Sequence, residues 1–240
     1  MAGHSKWANI KHQKAKADAK KGKVFSRIAK EIITAVKLGG PDREGNPRLR
    51  LAIQRAKEFN LPNDIVDRNI KKASSTDQAD FTEMTYELYG HGGVGIIVDV
   101  MTDNKNRISS DMRIATNKRG GVVANPGAVA FNFDRKGIIQ VLKTNAKEED
   151  LFLLATDAGA EDFEVAEDRF IITTGENDLL KIKDILQKSN VIVEEAEEDM
   201  IAKNYIDCDA ETIKANLALV EWLEALDDVD AVYHNMNLPE

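Results

Sequence analysis

The chain has 240 residues and a formal net charge of −8 that is split unevenly along its length. Residues 1–75 hold 18 Lys/Arg against 7 Asp/Glu, a net +11, while residues 76–240 hold 15 against 34, a net −19. Apolar content of 42% excludes a disordered chain and the single cysteine excludes an internal disulfide framework; no apolar run approaches the ~18 residues of a membrane span. Such asymmetry points to a nucleic-acid or membrane partner, even though the pI is about 5.2.

Residues 1–22 form a basic tract whose only large apolar groups are Trp7 and Ile10. It lacks the apolar core of a secretory signal, and its lysine-rich composition, with no arginine before Arg27, suits a mitochondrial presequence poorly; a cytoplasmic protein is expected. Alone, the tract buries too little to offset its ordering entropy, so it is expected to be mobile or to dock onto a partner.

From Lys23 to Leu38 the spacing of Val24, Ile28, Ile32 and Ala35 predicts a helix stopped by Gly39-Gly40-Pro41. Asn46-Pro47 reads as an N-cap followed by proline at the first helical position, opening a helix with Leu49, Ala52, Ile53 and Ala56 on one face. Leu61-Pro62-Asn63-Asp64 starts a third helix with Val66 and Ile70 inward. Residues 23–78 are thus a three-helix domain ending in a polar linker.

The period then falls to two. FTEMTYELYG (81–90) alternates, HGG (91–93) turns, and GIIVDVM (95–101) is a buried strand. A helix over 106–119 carries Ile108, Met112 and Ala115 inward, and strands are expected at 122–123 and 128–133. Residues 137–199 then spell strand 137–143, helix 147–158, strands 162–166 and 169–174, helix 177–189 and strand 191–198, the βαββαβ order of a ferredoxin-like unit. The acidic run Glu194–Asp199 reads as a charged strand edge that blocks edge-to-edge pairing. A helix at 210–226 and a strand at 229–234 close the chain. The expected fold is α+β with three domains: the helical bundle, then two ferredoxin-like domains. The first of these is discontinuous, 79–134 plus 205–240, and the second, 135–204, is inserted in it.

No catalyst is written here. His4, His12, His91 and His234 have no ligand spacing, GxSxG, HExxH and Walker motifs are absent, and Cys208 has no neighbouring base. Neither enzyme activity nor a metal or other cofactor is expected. The basic residues point elsewhere. Lys6, Lys11, Lys14, Lys16, Lys20, Lys21 and Lys23 supply counterion release on a nucleic acid, His12 can hydrogen-bond, and Trp7 offers a stacking face. Arg27, Arg48 and Arg50 extend that surface onto the helices, and Lys105, Arg107, Arg113, Lys118 and Arg119 lie in a stretch, 104–136, of net +5. The last two also suit a helix C-terminus, so a structural role stands beside the binding role.

The segments MAGHSKWANIKHQKAKADAKKGKVFSRIAKEI, NPRLRLAI, YELYGHGGVGIIVDVMTDNKNR and FDRKGII resemble the YebC family over essentially the whole chain. That family includes bacterial proteins labelled probable transcriptional regulators and a mitochondrial translational activator of cytochrome oxidase. The resemblance implies three domains, no enzymatic activity, and either DNA binding at promoters or association with ribosomal RNA and the ribosome that eases elongation through proline-rich stretches. Two positions depart from the family pattern: His91 stands where YGPGG has proline, and Asn125-Pro126-Gly127 occupies a loop that is commonly glycine-rich. The expected function is a nucleic-acid-binding regulator of gene expression, a DNA-binding transcription factor. The translation factor is the alternative, and a ligand- or protein-binding module without nucleic acid stands behind both. A monomer is expected, since no heptad or long apolar stripe is present.

Overall fold

The computed structural model describes residues 21–74 and 80–238, and at Lys21, Gly22 and Glu58 the backbone only. Among the described residues the chain forms two compact units. One runs to Val129 and resumes over Ile206–Met236; the other is centred on Ala130–Tyr205.

The first unit begins with α1 (Lys21–Gly39), α2 (Pro47–Glu58) and α3 (Asn63–Ala73). Ile28, Ile32 and Val36 of α1, Leu49, Ala52 and Ala56 of α2, and Leu61 and Val66 make one buried cluster, as the helical spacing predicts. Asn46 joins the first two helices. Its side-chain oxygen accepts from Leu49 N (3.1 Å), capping α2, while its amide donates to the carbonyls of Ala35 and Gly40 (2.8 and 2.9 Å), closing α1.

The same unit continues as β1 (Thr82–Tyr89), β2 (Gly95–Thr102), α4 (Lys105–Arg119) and β3 (Val122–Val123), and after the second unit as α7 (Ala210–Ala225) and β8 (Val229–His234). The sheet is antiparallel with order β3-β1-β2-β8, so the hairpin occupies its centre. β2 is buried along nearly its whole length, which is why it reads as a continuous apolar run. α4 and α7 pack together, burying Ile108, Met112 and Ala115 on one and Leu219 and Leu223 on the other.

The second unit holds β4 (Phe133–Leu142), α5 (Glu148–Ala158), β5 (Asp162–Val165), β6 (Arg169–Gly175), α6 (Leu179–Lys188) and β7 (Glu195–Ala202). Its antiparallel order is β5-β6-β4-β7, the ferredoxin-like arrangement that the βαββαβ pattern predicts. Ile139, Val141, Phe170 and Ile172 pack against Leu151, Ala155, Ile182 and Leu186 of the two helices. Among the described residues the acidic strand is an edge strand, paired only to β4.

Two expected strands are corrected. Of the strand expected at 128–133, residues 128–132 are a turn and a short 3-10 segment, and extended structure begins at Phe133. The buried Glu87 carboxylate accepts from Gly127 N (2.5 Å) and Val129 N (2.6 Å), holding this segment as a loop. The strand expected at 191–198 instead covers Glu195–Ala202. Val191 N bonds back to Leu186 O and Asn190 takes φ 63°, so Val191 and Val193 close the end of α6 and pack into the core before pairing starts.

Candidate nucleic-acid interface

The structure divides the basic residues by what they touch. Lys6, Trp7, Lys11, His12, Lys14, Lys16 and Lys20 lie outside the described residues, as does the side chain of Lys21. Lys23, Arg27, Lys30 and Thr34 follow each other at helical spacing along one face of α1. Lys23 Nζ donates to the carbonyls of Glu224 and Leu226, the latter at 2.7 Å, at the C-terminal end of α7, where the helix dipole favours a cation. Lys30 Nζ donates to Met101 O (3.1 Å) and Asp227 O (2.9 Å) and lies 3.4 Å from the Asp228 carboxylate. Thr34 Oγ1 bonds Lys30 O at 3.0 Å and approaches the Met101 sulfur at 3.9 Å. These contacts hold the helical bundle on the first sheet. Arg27 remains exposed beside Asp230, whose carboxyl burial pushes up from its usual value against the pull of Arg27 and Lys30.

Arg107 is likewise committed to the fold. Its Nε and an Nη donate to Asp228 Oδ2 at 3.0 and 2.6 Å, and the same Nη reaches Asp103 at 2.6 Å. These two carboxylates hold the guanidinium above its ordinary value. Thr102 Oγ1 donates to Asp228 Oδ2 at 2.9 Å. Burial alone would raise the Asp228 carboxyl, but the bonds from Arg107 and Thr102, with Lys30 nearby, hold it below the usual carboxylate range.

Arg48 pairs with Glu83 and Arg50 donates to Glu44 O (3.1 Å), both at the surface. Exposed pairs of this kind contribute about 0–1 kcal/mol, so a phosphate can displace Glu83 at little cost. Arg55, by contrast, donates to the half-buried Glu31 at 3.0 Å. On α4, Lys105, Arg113 and Lys118 are exposed. Arg119 is exposed too, its guanidinium carbon 5.1 Å above the Trp222 ring. Arg119 and Trp222, with Ala218, Glu221, Ala225 and Leu226, line an open groove of about 250 Å³. Trp222 carries no signal in the sequence, where it is one more apolar residue of a helix.

His91 and the Asn125–Gly127 loop are built into the fold. His91 N donates to Asn216 Oδ1 (2.8 Å), Asn216 Nδ2 donates to His91 O (3.1 Å), and His91 Nε2 lies 2.8 Å from Arg119 O at the end of α4. A Cβ on Gly120, at φ +77°, would stand 2.4 Å from the His91 ring. The Asn125–Gly127 loop is the one held by Glu87. Cys208 is half-buried, and burial together with Asp209 and Asp207 pushes its thiol up, away from the reactive thiolate. Among the described residues no group of three His, Cys, Asp or Glu could hold a metal ion, and no helix is long and apolar enough to cross a membrane.

A three-helix N-terminal region followed by two small antiparallel α+β sheets, with cations displayed on α2 and α4, defines a class of basic-ended, multidomain α+β proteins. Residues 5–76 match the TACO1/YebC protein N-terminal domain and residues 81–236 the TACO1/YebC second and third domain. The chain therefore belongs to the TACO1/YebC family. It is 72% identical over 240 residues to a probable transcriptional regulatory protein of Protochlamydia amoebophila, covering 100% of this chain and 98% of that one. It is 54% identical over 238 residues to a probable transcriptional regulatory protein of Chlamydia pneumoniae, covering 99% and 100%. The crystal structure of a conserved hypothetical protein, Aq1575 of Aquifex aeolicus, superposes with a TM-score of 0.84 at 42% identity, covering 98% of this chain and 97% of that one.

Proposed function

We propose that this protein is a non-enzymatic, nucleic-acid-binding regulator of gene expression that acts on DNA. The observation that carries this reading is the set of exposed cations Lys105, Arg113, Lys118 and Arg119 on α4, the last of them lining an aromatic groove. These cations remain at the surface while Lys23, Lys30 and Arg107 are committed to holding the fold together. Relatives named probable transcriptional regulatory proteins favour DNA as the target. On this reading α4 and the N-terminal lysines contact phosphates, and affinity rests on counterion release.

A second reading, an RNA-binding translation factor on the ribosome, draws support from α3. Its exposed Asp64 and Asp67 pair with Arg68 and Arg43, so the last helix of the bundle is poorly charged for a DNA major groove. The test compares duplex-DNA binding with ribosome cosedimentation at physiological salt, for the full chain and a Lys105→Ala, Arg113→Ala, Lys118→Ala variant. The DNA reading expects a reproducible target sequence. It also expects a salt slope shallower by roughly 0.7–0.9 log units for each phosphate left unneutralised. Salt-sensitive, sequence-blind DNA binding with ribosomal RNA crosslinks supports the second reading. Unchanged affinity and slope for both targets overturns a role for α4.

A further inference from the structure

The outer face of α4 is built unlike an ordinary solvated one. Ile108, Met112 and Ala115 bury the inner face. Opposite them, at i, i+4, i+7 and i+11, stand Asn106, Ser110, Arg113 and Asn117, all exposed. With about 3.6 residues per turn, Lys105 falls on one flank of this stripe and Ile114 and Lys118 on the other. Among the described residues no hydrogen bond or ion pair engages the side chains of Asn106, Ser110, Arg113 or Asn117. A helix face that meets only water is best filled with strong helix formers and i,i+4 pairs of opposite charge. This one carries two asparagines and a serine, weaker helix formers than Ala, Glu or Lys, and α4 as a whole has five cations against the single acid Asp111. Ile114 lies on the same side, 46% exposed and outside the core. Folding accounts for neither the amides nor Ile114.

Each of these side chains has a complement in the major groove of B-form DNA. An asparagine amide pairs with N6 and N7 of adenine, an arginine fork with O6 and N7 of guanine, a serine hydroxyl with either, and an apolar group with the thymine methyl. That groove is about 12 Å wide, and a helix with its side chains is about 10–12 Å across. At ~1.5 Å per residue Asn106 and Asn117 lie about 16 Å apart along the axis, the length of about five base-pair steps. Lys105 and Lys118, one on each flank, then face the phosphates of the two strands that wall the groove. We infer that α4 is a base-reading helix for the major groove. Asn106 and Asn117 take adenines toward the ends of the site, Arg113 a guanine between them, and Ile114 a neighbouring thymine methyl. The inference rests on the DNA reading above and deepens it: Lys105 and Lys118 supply affinity, and the stripe supplies sequence. The major groove of A-form RNA is too deep and narrow for side chains to read, so the stripe has no counterpart on duplex RNA.

The test selects a target from random duplexes with the full chain, then compares its affinity with that of a scrambled duplex over a range of salt. Asn106→Ala with Asn117→Ala should cut the discrimination between the two duplexes by roughly 5–150-fold for each bidentate pair lost, and keep the salt slope. Arg113→Gln should move the preference at one base pair from guanine to adenine, the base that a glutamine amide fits. Lys105→Ala with Lys118→Ala should instead weaken both duplexes alike, flatten the slope by roughly 0.9 log units per phosphate, and keep the selected sequence. Alanine is the better helix former at the two exposed asparagine sites, so that variant should melt no lower than the wild type, and a lost preference is not a lost fold. If either the asparagine variant or Arg113→Gln keeps the wild-type preference at every base pair, α4 does not read bases as inferred, and the DNA reading still stands. If no reproducible target emerges, both fall.

Discussion

Asp228 takes four contacts from three residues in different parts of the chain: Lys30 of α1, Thr102 at the end of β2, and Arg107 of α4, the last through two bonds. Its carboxylate is nearly buried, whereas Arg107 keeps about half its side chain in water, 7% against 47% exposed. Asp228→Asn keeps the shape but removes the charge. Hydrogen bonds to charged groups contribute about 1.5–3 kcal/mol, so the variant should unfold in urea with about 2–3 kcal/mol less stability at neutral pH. Because the folded carboxyl sits below its ordinary value, that stabilisation is complete above the unfolded pKa of about 3.9 and is lost as pH falls through the folded value. The gap between wild type and variant should therefore close in acid, and a gap constant from pH 7 down to the lowest folded pH would contradict the assignment. None of this was legible in the sequence, where Arg107 reads as one of seven cations in a basic stretch. Lys30 and Asp228 are 198 residues apart, and no local pattern relates them.

At the scale of elements, hydrophobic period identified nearly every helix and strand, because burial of one face imposes the 3.6 and 2.0 spacings directly on the residues. The failures fall where a distant group governs the backbone. Val129, Ala130 and Phe131 have the composition of a strand, yet Glu87, 42 residues away from Val129, binds that residue's amide and keeps the segment a loop. The HGG turn was legible, but not its support. Asn216 on α7 bonds both backbone groups of His91, and a Cβ on Gly90 would come within 2.3 Å of the Asn216 oxygen. Asn216→Ala leaves a partly buried amide unpaired and should cost about 1–3 kcal/mol in thermal or urea melts. Gly90→Ala should also destabilise, and the double variant should cost less than the sum, since Asn216→Ala removes the atoms the new methyl would meet. Strict additivity would show that the clash and the hydrogen bonds are separate.

For the molecule as a whole, the net charge of −8 averages two opposed halves, and the halves have different work. In the basic third, part of the charge is spent on assembly: Lys23 and Lys30 bind carbonyls and a carboxylate of the first sheet's domain. On the proposed reading, the lysines of the N-terminal tract serve the polyanion. Lys14→Ala, Lys16→Ala, Lys20→Ala and Lys21→Ala together should weaken nucleic-acid binding and flatten its dependence on salt, by roughly 0.7–0.9 log units for each phosphate left unneutralised. Thermal stability should change little, since among the described residues the apolar cluster of the helical bundle begins at Val24, beyond all four. An unchanged salt slope would remove the tract from the interface. Composition, charge order and motif were enough to establish the α+β class, the helical N-terminal region, the ferredoxin-like strand order of the second sheet and the TACO1/YebC family. Each is written in neighbouring residues or in an ordered series of them. Only the tertiary structure decided which cations remain at the surface, because a lysine's role depends on the carbonyl or carboxylate that folding brings to it from some 200 residues away.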